Sequence, residues 1–285
     1  MAALNMKLMT AGSDKIYRES EFPIASLNIK RDESAADMLE VKLVGEVKEF
    51  PSFLRVYLEG NMIFDGITDD LIFSRSDEGE FTELVARDMF SLLTDNELRP
   101  CSLRNPSLRL FAERFLAPLG FELRGNMGAF KGELIIKEGC SVFRGLADFC
   151  RSFMGAEAKR RGNVLYCGEE RPVVKVEDRY PVLSLERSIS RFGVASKVYV
   201  KSSTSAIYSG CRENKEDMGF IRCVYGDGAL APKEDMEICL AGGVDIHPGD
   251  VYGKLLTAES VRINYNGTEW LTRITGKELK GNVDT

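Results

Sequence analysis

Fifteen residues, Val56–Asp70 (VYLEGNMIFDGITDD), hold three aspartates, Asp65, Asp69 and Asp70, together with two glycines. Carboxylates this close hold a divalent cation or share acid/base work. A calcium loop needs oxygen ligands at alternate positions and a distant glutamate, a pattern these three do not follow. On a strand, Asp65 and Asp69 share one face and Asp70 points to the other, which divides the set. A glycosidase pair leaves no spacing signature, and among 44 acidic residues an arbitrary pair carries no weight. His247, in VDIHPGD, is the single imidazole, so any Ser-His or Cys-His mechanism runs through it. Its flanks read as a strand end before a Pro-Gly turn, which gives it a solvent-facing or capping role.

The seven cysteines, Cys101, Cys140, Cys150, Cys167, Cys211, Cys223 and Cys239, form no C-x-x-C pair. With one histidine beside them they do not make a structural zinc site, and they read as reduced, mostly buried thiols. Gly226–Gly228 (GDG) and Gly242–Asp245 (GGVD) read as turns, because neither follows a strand and opens a helix as a phosphate loop does. The basic run Ala158–Asn163 (AKRRGN) reads as a solvated turn, and Trp270 as core. No catalytic, cofactor-binding or metal-ligating residue is assigned, and no cofactor is expected.

The elements that would position such groups are mostly strands. ASLNIKRD, LEVKLVGEV, FLRVYLEGNMIFDGI, TDDLIFSRS and FTELVARD alternate apolar and polar residues with period two. Gly60-Asn61 reads as a hairpin tip, supplying the positive φ of a primed turn, and Asp65-Gly66 as a bulge. DMFSLLTDNELRP closes this unit with a helical turn. In NPSLRLFAERFLAPLGF, Asn105 is the expected N-cap and Pro106 the first helical residue, with Leu108, Phe111, Ala112, Phe115 and Leu116 on one face. Pro118 and Gly120 end it. Ser141 caps a second helix that stops at Gly155, and a hairpin follows with the basic run at its turn. From Val173 the pattern is β again, closing on a hairpin at Asn266-Gly267, while 204–217 is polar and reads as mobile.

The expected fold class is therefore α+β, mainly β. Two antiparallel β-barrel-like domains, 1–95 and 173–285, flank a small α+β module at 96–172. With 285 residues, 44% apolar and 29% charged, the composition is that of a globular protein. A net charge of −6 argues against specific nucleic-acid binding. No run of eighteen apolar residues predicts membrane insertion, and the N-terminal residues do not form a secretory signal, so folding in a cytoplasm is expected.

The order of the pieces resembles the baseplate hub and tail proteins of contractile-tailed, Mu-like phages and prophages. The V-F-x-G-x-V-D type strand is matched by Ile63-Phe64-Asp65-Gly66-Ile67-Thr68-Asp69. The returning element and leucine pair are matched by Ala86-Arg87-Asp88 and Leu92-Leu93, and the I-A-x-x-L-L-A-P-F-G helix by Phe111 to Phe121. CSVFRGLADFCRSFMGAEAKRRGNVLYC is similar to the family's helix plus hairpin, and VRINYNGTEWLTRITGKEL to its terminal strands.

This resemblance implies a structural, non-enzymatic hub, a homotrimer whose ring joins tail tube to central spike, with other baseplate proteins docked around it. It implies a place in the virion tail, assembled in the bacterial host cytoplasm. An acidic or neutral lumen would keep DNA from adhering. The alternatives are a cell-wall glycan hydrolase using an Asp/Glu pair, and a carbohydrate-binding β-module.

Overall fold

The computed structural model describes residues 5–32, 36–77, 79–176, 180–201, 208–215 and 221–279. Part of the polar 204–217 stretch therefore lies outside the described residues. The first third is a run of strands: β1 (Met6–Ala11), β2 (Arg18–Glu19), β3 (Ile24–Asp32), β4 (Met38–Val44), β5 (Phe53–Leu58), β6 (Asn61–Ser76) and β7 (Gly79–Asp88). The middle holds α1 (Ser91–Asp95), β8 (Cys101–Arg104), α2 (Leu108–Phe111), β9 (Glu122–Gly125), β10 (Glu133–Ile136), α3 (Val142–Phe149), β11 (Ala158–Arg161) and β12 (Val164–Cys167). The last third is again strands: β13 (Lys175–Val176), β14 (Val182–Ser190), β15 (Lys197–Lys201), β16 (Tyr208–Glu213), β17 (Cys223–Tyr225), β18 (Lys233–Ala241), β19 (Val251–Tyr252), β20 (Leu256–Tyr265) and β21 (Trp270–Glu278). The chain is thus α+β and mainly antiparallel β, as its alternation predicts.

One sheet dominates, in the order β14-β18-β21-β20-β3-β4-β7-β6-β5-β1-β2, with β13 and β19 beside β20. The join between the chain's outer thirds is the pair β3–β20, which runs antiparallel from Leu27↔Tyr265 to Asp32↔Ser260. Alternation along each strand sends one side chain in two to a common core. Leu27, Ile29, Leu39, Val41, Leu43, Leu84 and Ala86 of the first third pack there with Ile238, Leu240, Ile263 and Ile274 of the last. Burying each Leu or Ile is worth about 1.5–3 kcal/mol, so this shared core holds the two thirds together. Trp270 closes it beside Tyr265, ring centroids 5.0 Å apart. The middle segment builds a separate, aromatic core from Phe90, Leu108, Phe111, Leu146, Phe149 and Leu165.

Local geometry corrects several sequence expectations by a residue or two. The β5–β6 hairpin turns on Glu59-Gly60, at φ 51° and 79°, with Leu58 paired to Asn61, so the positive-φ pair falls one position before Gly60-Asn61. The bulges near the acidic stretch are not at Asp65-Gly66. Register slips between Val56↔Phe64 and Tyr57↔Met62, leaving Ile63 extra, and between Thr68↔Ala86 and Asp70↔Val85, leaving Asp69 extra. Each bends β6 and deepens its twist. Gly66 instead marks a close approach: a Cβ there would lie 2.2 Å from the Arg87 carbonyl oxygen.

In the middle segment the N-cap is Ser107, whose side chain accepts from the Leu110 N–H, rather than Asn105. Asn105 takes φ 46° and its Oδ1 accepts from the Gly132 N–H, tying two loops. α2 runs on through a π-helical turn at Ala112–Leu116 and ends on Gly120 at φ 81°. Ser141 caps α3 and Gly155 terminates its continuation, as the sequence predicts.

Candidate functional site

The three aspartates of the acidic stretch are spread along the sheet surface, and two are held by arginines. Asp65 takes a two-point contact from Arg55, Nε to Oδ1 at 2.9 Å and Nη2 to Oδ2 at 3.2 Å. Tyr17 lies under that guanidinium, 3.9 Å from its ring centroid. Asp69, swung out by its bulge, takes Arg87 at 2.6 and 3.0 Å, and Arg87 also reaches Asp95 at 2.9 Å. Hydrogen bonding from Arg87 holds the Asp95 carboxyl below its usual range. Asp70 faces solvent. Among the described residues no group of three or more His, Cys, Asp or Glu is placed to hold a metal ion.

The densest charge lies elsewhere, where all three segments meet. Arg160 on β11 has a side chain only 9% exposed and divides its fork between two carboxylates that are 10% and 14% exposed. Its Nη2 donates to Asp37 Oδ1 and its Nη1 to Asp88 Oδ2, both at 2.6 Å. Its guanidinium also covers the Phe90 ring, 4.4 Å from the centroid. Arg31, 1% exposed, lies 3.5 Å from Asp37, donates to Asp245 at 2.8 Å and to the Ile246 carbonyl at 2.7 Å, and reaches the Ile63 carbonyl. Arg161 and Arg171 converge on the fully buried Asp250, the latter at 3.0 Å. Asp250 also accepts the backbone N–H of His247 at 3.0 Å.

Four arginines thus meet four aspartates, Asp37, Asp88, Asp245 and Asp250. Such forked pairs are the strong kind of hydrogen bond, and they also fix direction. The turn His247-Pro248-Gly249-Asp250 presents Asp250 to them, closed by the Asp250 N–H on the His247 carbonyl at 2.9 Å, with Gly249 at φ 82°.

Two sequence expectations are corrected here. The basic run Ala158–Asn163 is not a solvated turn: Ala158–Arg161 is strand, only Gly162 and Asn163 turn, and Arg160 is buried. His247 is neither solvent-facing nor the capping group. It lies inside the junction and its own N–H is the one capped. Burial and the surrounding Arg31, Arg161, Arg160 and Arg171 push its imidazole down to about 2, so it stays neutral. The missed signal is non-local, since the partners of Arg160 lie 72 and 123 positions away and those of Arg161 and Arg171 lie 89 and 79.

What the junction can do is mechanical. The space between His247, Arg160, Arg161 and Arg171 is about 30 Å³, the size of a water molecule and too small for a substrate. An open cleft of about 660 Å³ lies alongside, bordered by Phe143, Arg151, Lys159, Glu259 and Thr275.

The junction does respond to pH. Burial raises Asp88 to about 6 against the pull of Arg160, with Asp37 adding to the rise. Its Oδ1 meets no donor, which explains why the ion pair does not win. A carboxyl raised in the folded state keeps its proton longer there than in the unfolded chain. Its contribution is therefore fully favourable below about pH 4 and is lost as pH climbs through about 6. Asp88→Asn, which can still accept from Arg160, is expected to flatten that loss. Urea unfolding of wild type and variant from pH 4 to 8 should give curves that diverge between about pH 4 and 6, with the variant gaining on wild type as pH rises.

The fold is that of the phage and prophage tail proteins, so the resemblance in the motifs is borne out at the level of fold. The chain superposes on the tail protein of Neisseria meningitidis MC58 with a TM-score of 0.67 at 15% identity, over 96% of this chain and 97% of that one. It superposes on the 43 kDa tail protein of prophage MuSo2 from Shewanella oneidensis with a TM-score of 0.69 at 13% identity, over 96% and 99%. An Escherichia coli type VI secretion component, described as similar to the T4 tail proteins gp27 and gp5, matches at 0.56 and 10% identity, over 96% of this chain and 76% of that one. No protein-family description and no curated protein matches the sequence. Among the described residues no helix is long and apolar enough to cross a membrane.

Proposed function

We propose that this chain is a structural protein of a phage or prophage-derived contractile tail, acting as a baseplate hub. In this reading three copies close into a ring between tail tube and central spike, with further baseplate proteins docked around it. The chain works by geometry, without catalysis or a cofactor, and is assembled in the host cytoplasm before it joins the virion tail. The observation that carries the reading is the extent of the likeness: two tail proteins are matched over at least 96% of this chain and 97% of their own. A shared fragment would not give that. The charge arrangement agrees, because the junction spends its arginines and aspartates on one another and leaves a stiff body suited to bearing load.

The test is the mass in solution by light scattering, with negative-stain images of the same sample. A trimer of the 31.8 kDa chain seen as a ring supports the hub. A species that stays monomeric at high concentration, or that clears peptidoglycan in a gel assay, overturns it.

A further inference from the structure

Apolar side chains are exposed at both ends of the large sheet. At one end is β14, hydrogen-bonded to β18 alone among the described strands, with all nine residues exposed. It carries Val182, Leu183, Leu185 and Ile189, and Phe192 just beyond it is 96% exposed. Edge strands are ordinarily blunted by lysine, proline or very short length. VLSLERSIS has no lysine or proline and is long; its protection is the Glu186-Arg187 pair at its centre and a bulge at Leu183.

Toward the other end, β6 outruns its neighbour. β5 pairs with it only as far as Phe53↔Ile67, whereas β7 follows it to Ser76. From Asp70 to Arg75 no described strand pairs with the β5-side edge of β6, and Ile72 and Phe73 are exposed on its opposite faces.

Resting on the ring reading above, we propose that copies of this chain join head to tail, β14 of one copy adding as a strand to the Asp70–Arg75 edge of β6 in the next. Charge favours this partner over β14 itself. Two β14 strands related by a two-fold axis place Glu186 against Glu186 or Arg187 against Arg187 at their centre, a like-charge pair. Laid antiparallel on β6, β14 brings Arg187, which meets Glu234 and Glu278 of its own copy at 3.4 and 3.1 Å, opposite Asp70, and sets Leu185 opposite Ile72 on the same face. A junction between unlike surfaces is heterologous, and it generates a ring when its rotation closes. The strand edges are then used up within the ring.

Two exposed variants test this: Leu183→Glu with Leu185→Glu on β14, and Ile72→Glu with Phe73→Glu on β6, each checked for unchanged far-ultraviolet dichroism. Each alone is expected to run as a monomer in light scattering. Mixed in equal amounts they should form a dimer and nothing larger, because one β14 and one β6 edge remain intact between them. Variants that assemble as wild type does, a β6 variant that dimerises alone, or a mixture that stays monomeric overturns the assignment of these edges while leaving the ring standing. A wild-type chain that never assembles overturns the ring itself.

Discussion

Replacing Arg160 by methionine is expected to remove about 3–5 kcal/mol of folding free energy near pH 8, the cost of leaving buried charge without its partner. Among the described residues Arg160 is the one side chain that serves Asp37 and Asp88 together, each at 2.6 Å. Methionine keeps much of its length and its contact with Phe90, so the loss reports charge rather than a cavity. Burial raises both carboxyls already, with Arg160 opposing the rise. Without the guanidinium they take up protons more readily, so the penalty should shrink as pH falls toward 5. Trp270, the single tryptophan, sits in the core shared by the outer thirds, and its emission in urea reports that core. Far-ultraviolet dichroism adds the middle segment. Wild type should show coincident transitions, and the variant an early dichroism phase as the middle segment lets go. A loss under about 1 kcal/mol, unchanged with pH, would remove the junction from any account of stability.

Gly66→Ala is the second large effect, about 3 kcal/mol or more. The new methyl would meet the Arg87 carbonyl oxygen at 2.2 Å and the Phe64 ring at 2.8 Å, and the backbone cannot rotate away as a side-chain tip can. Gly66 pairs with Leu54 on one side and Asp88 on the other. Pushing the strands apart therefore disturbs the Arg87–Asp69 pair and the Asp88–Arg160 contact together. Gly60→Ala is the control: the residue sits at φ 79° with open space around it, so only backbone strain of about 1 kcal/mol is expected. Urea midpoints for the two variants should separate clearly, and equal midpoints would show that the β6–β7 spacing is not what glycine protects.

The strands themselves were legible because a half-buried strand writes its buried face into every second residue. IASLNIKRD and MLEVKLV carry that signature and became β3 and β4. Which strands pair was not legible, since nothing near Leu27 announces Tyr265. Bulges were missed for the same reason: the extra residue is set by the partner strand, so Asp69 rather than Asp65-Gly66 is displaced. At Asn105 and Ser107 both residue types cap helices, and a distant partner decides. Asn105 takes φ 46° and its Oδ1 accepts from the Gly132 N–H, 27 positions on, while Ser107 accepts from the Leu110 N–H. The junction was the least legible. Arg160 and Arg161 look like solvated charge until the carboxylates of two distant segments are brought to them.

The pairing of β3 with β20 sets a timetable for the newborn chain. At a synthesis rate of about 5–20 residues per second, β3 emerges on the order of 10–50 s before the strand that completes its second edge. During that interval the middle segment has all of its own core and can fold, while the first third waits with an apolar face uncovered. The order of birth makes late strands the ones that seal early ones, and a ribosome stalled before residue 256 would leave β3 with one edge and its apolar face uncovered.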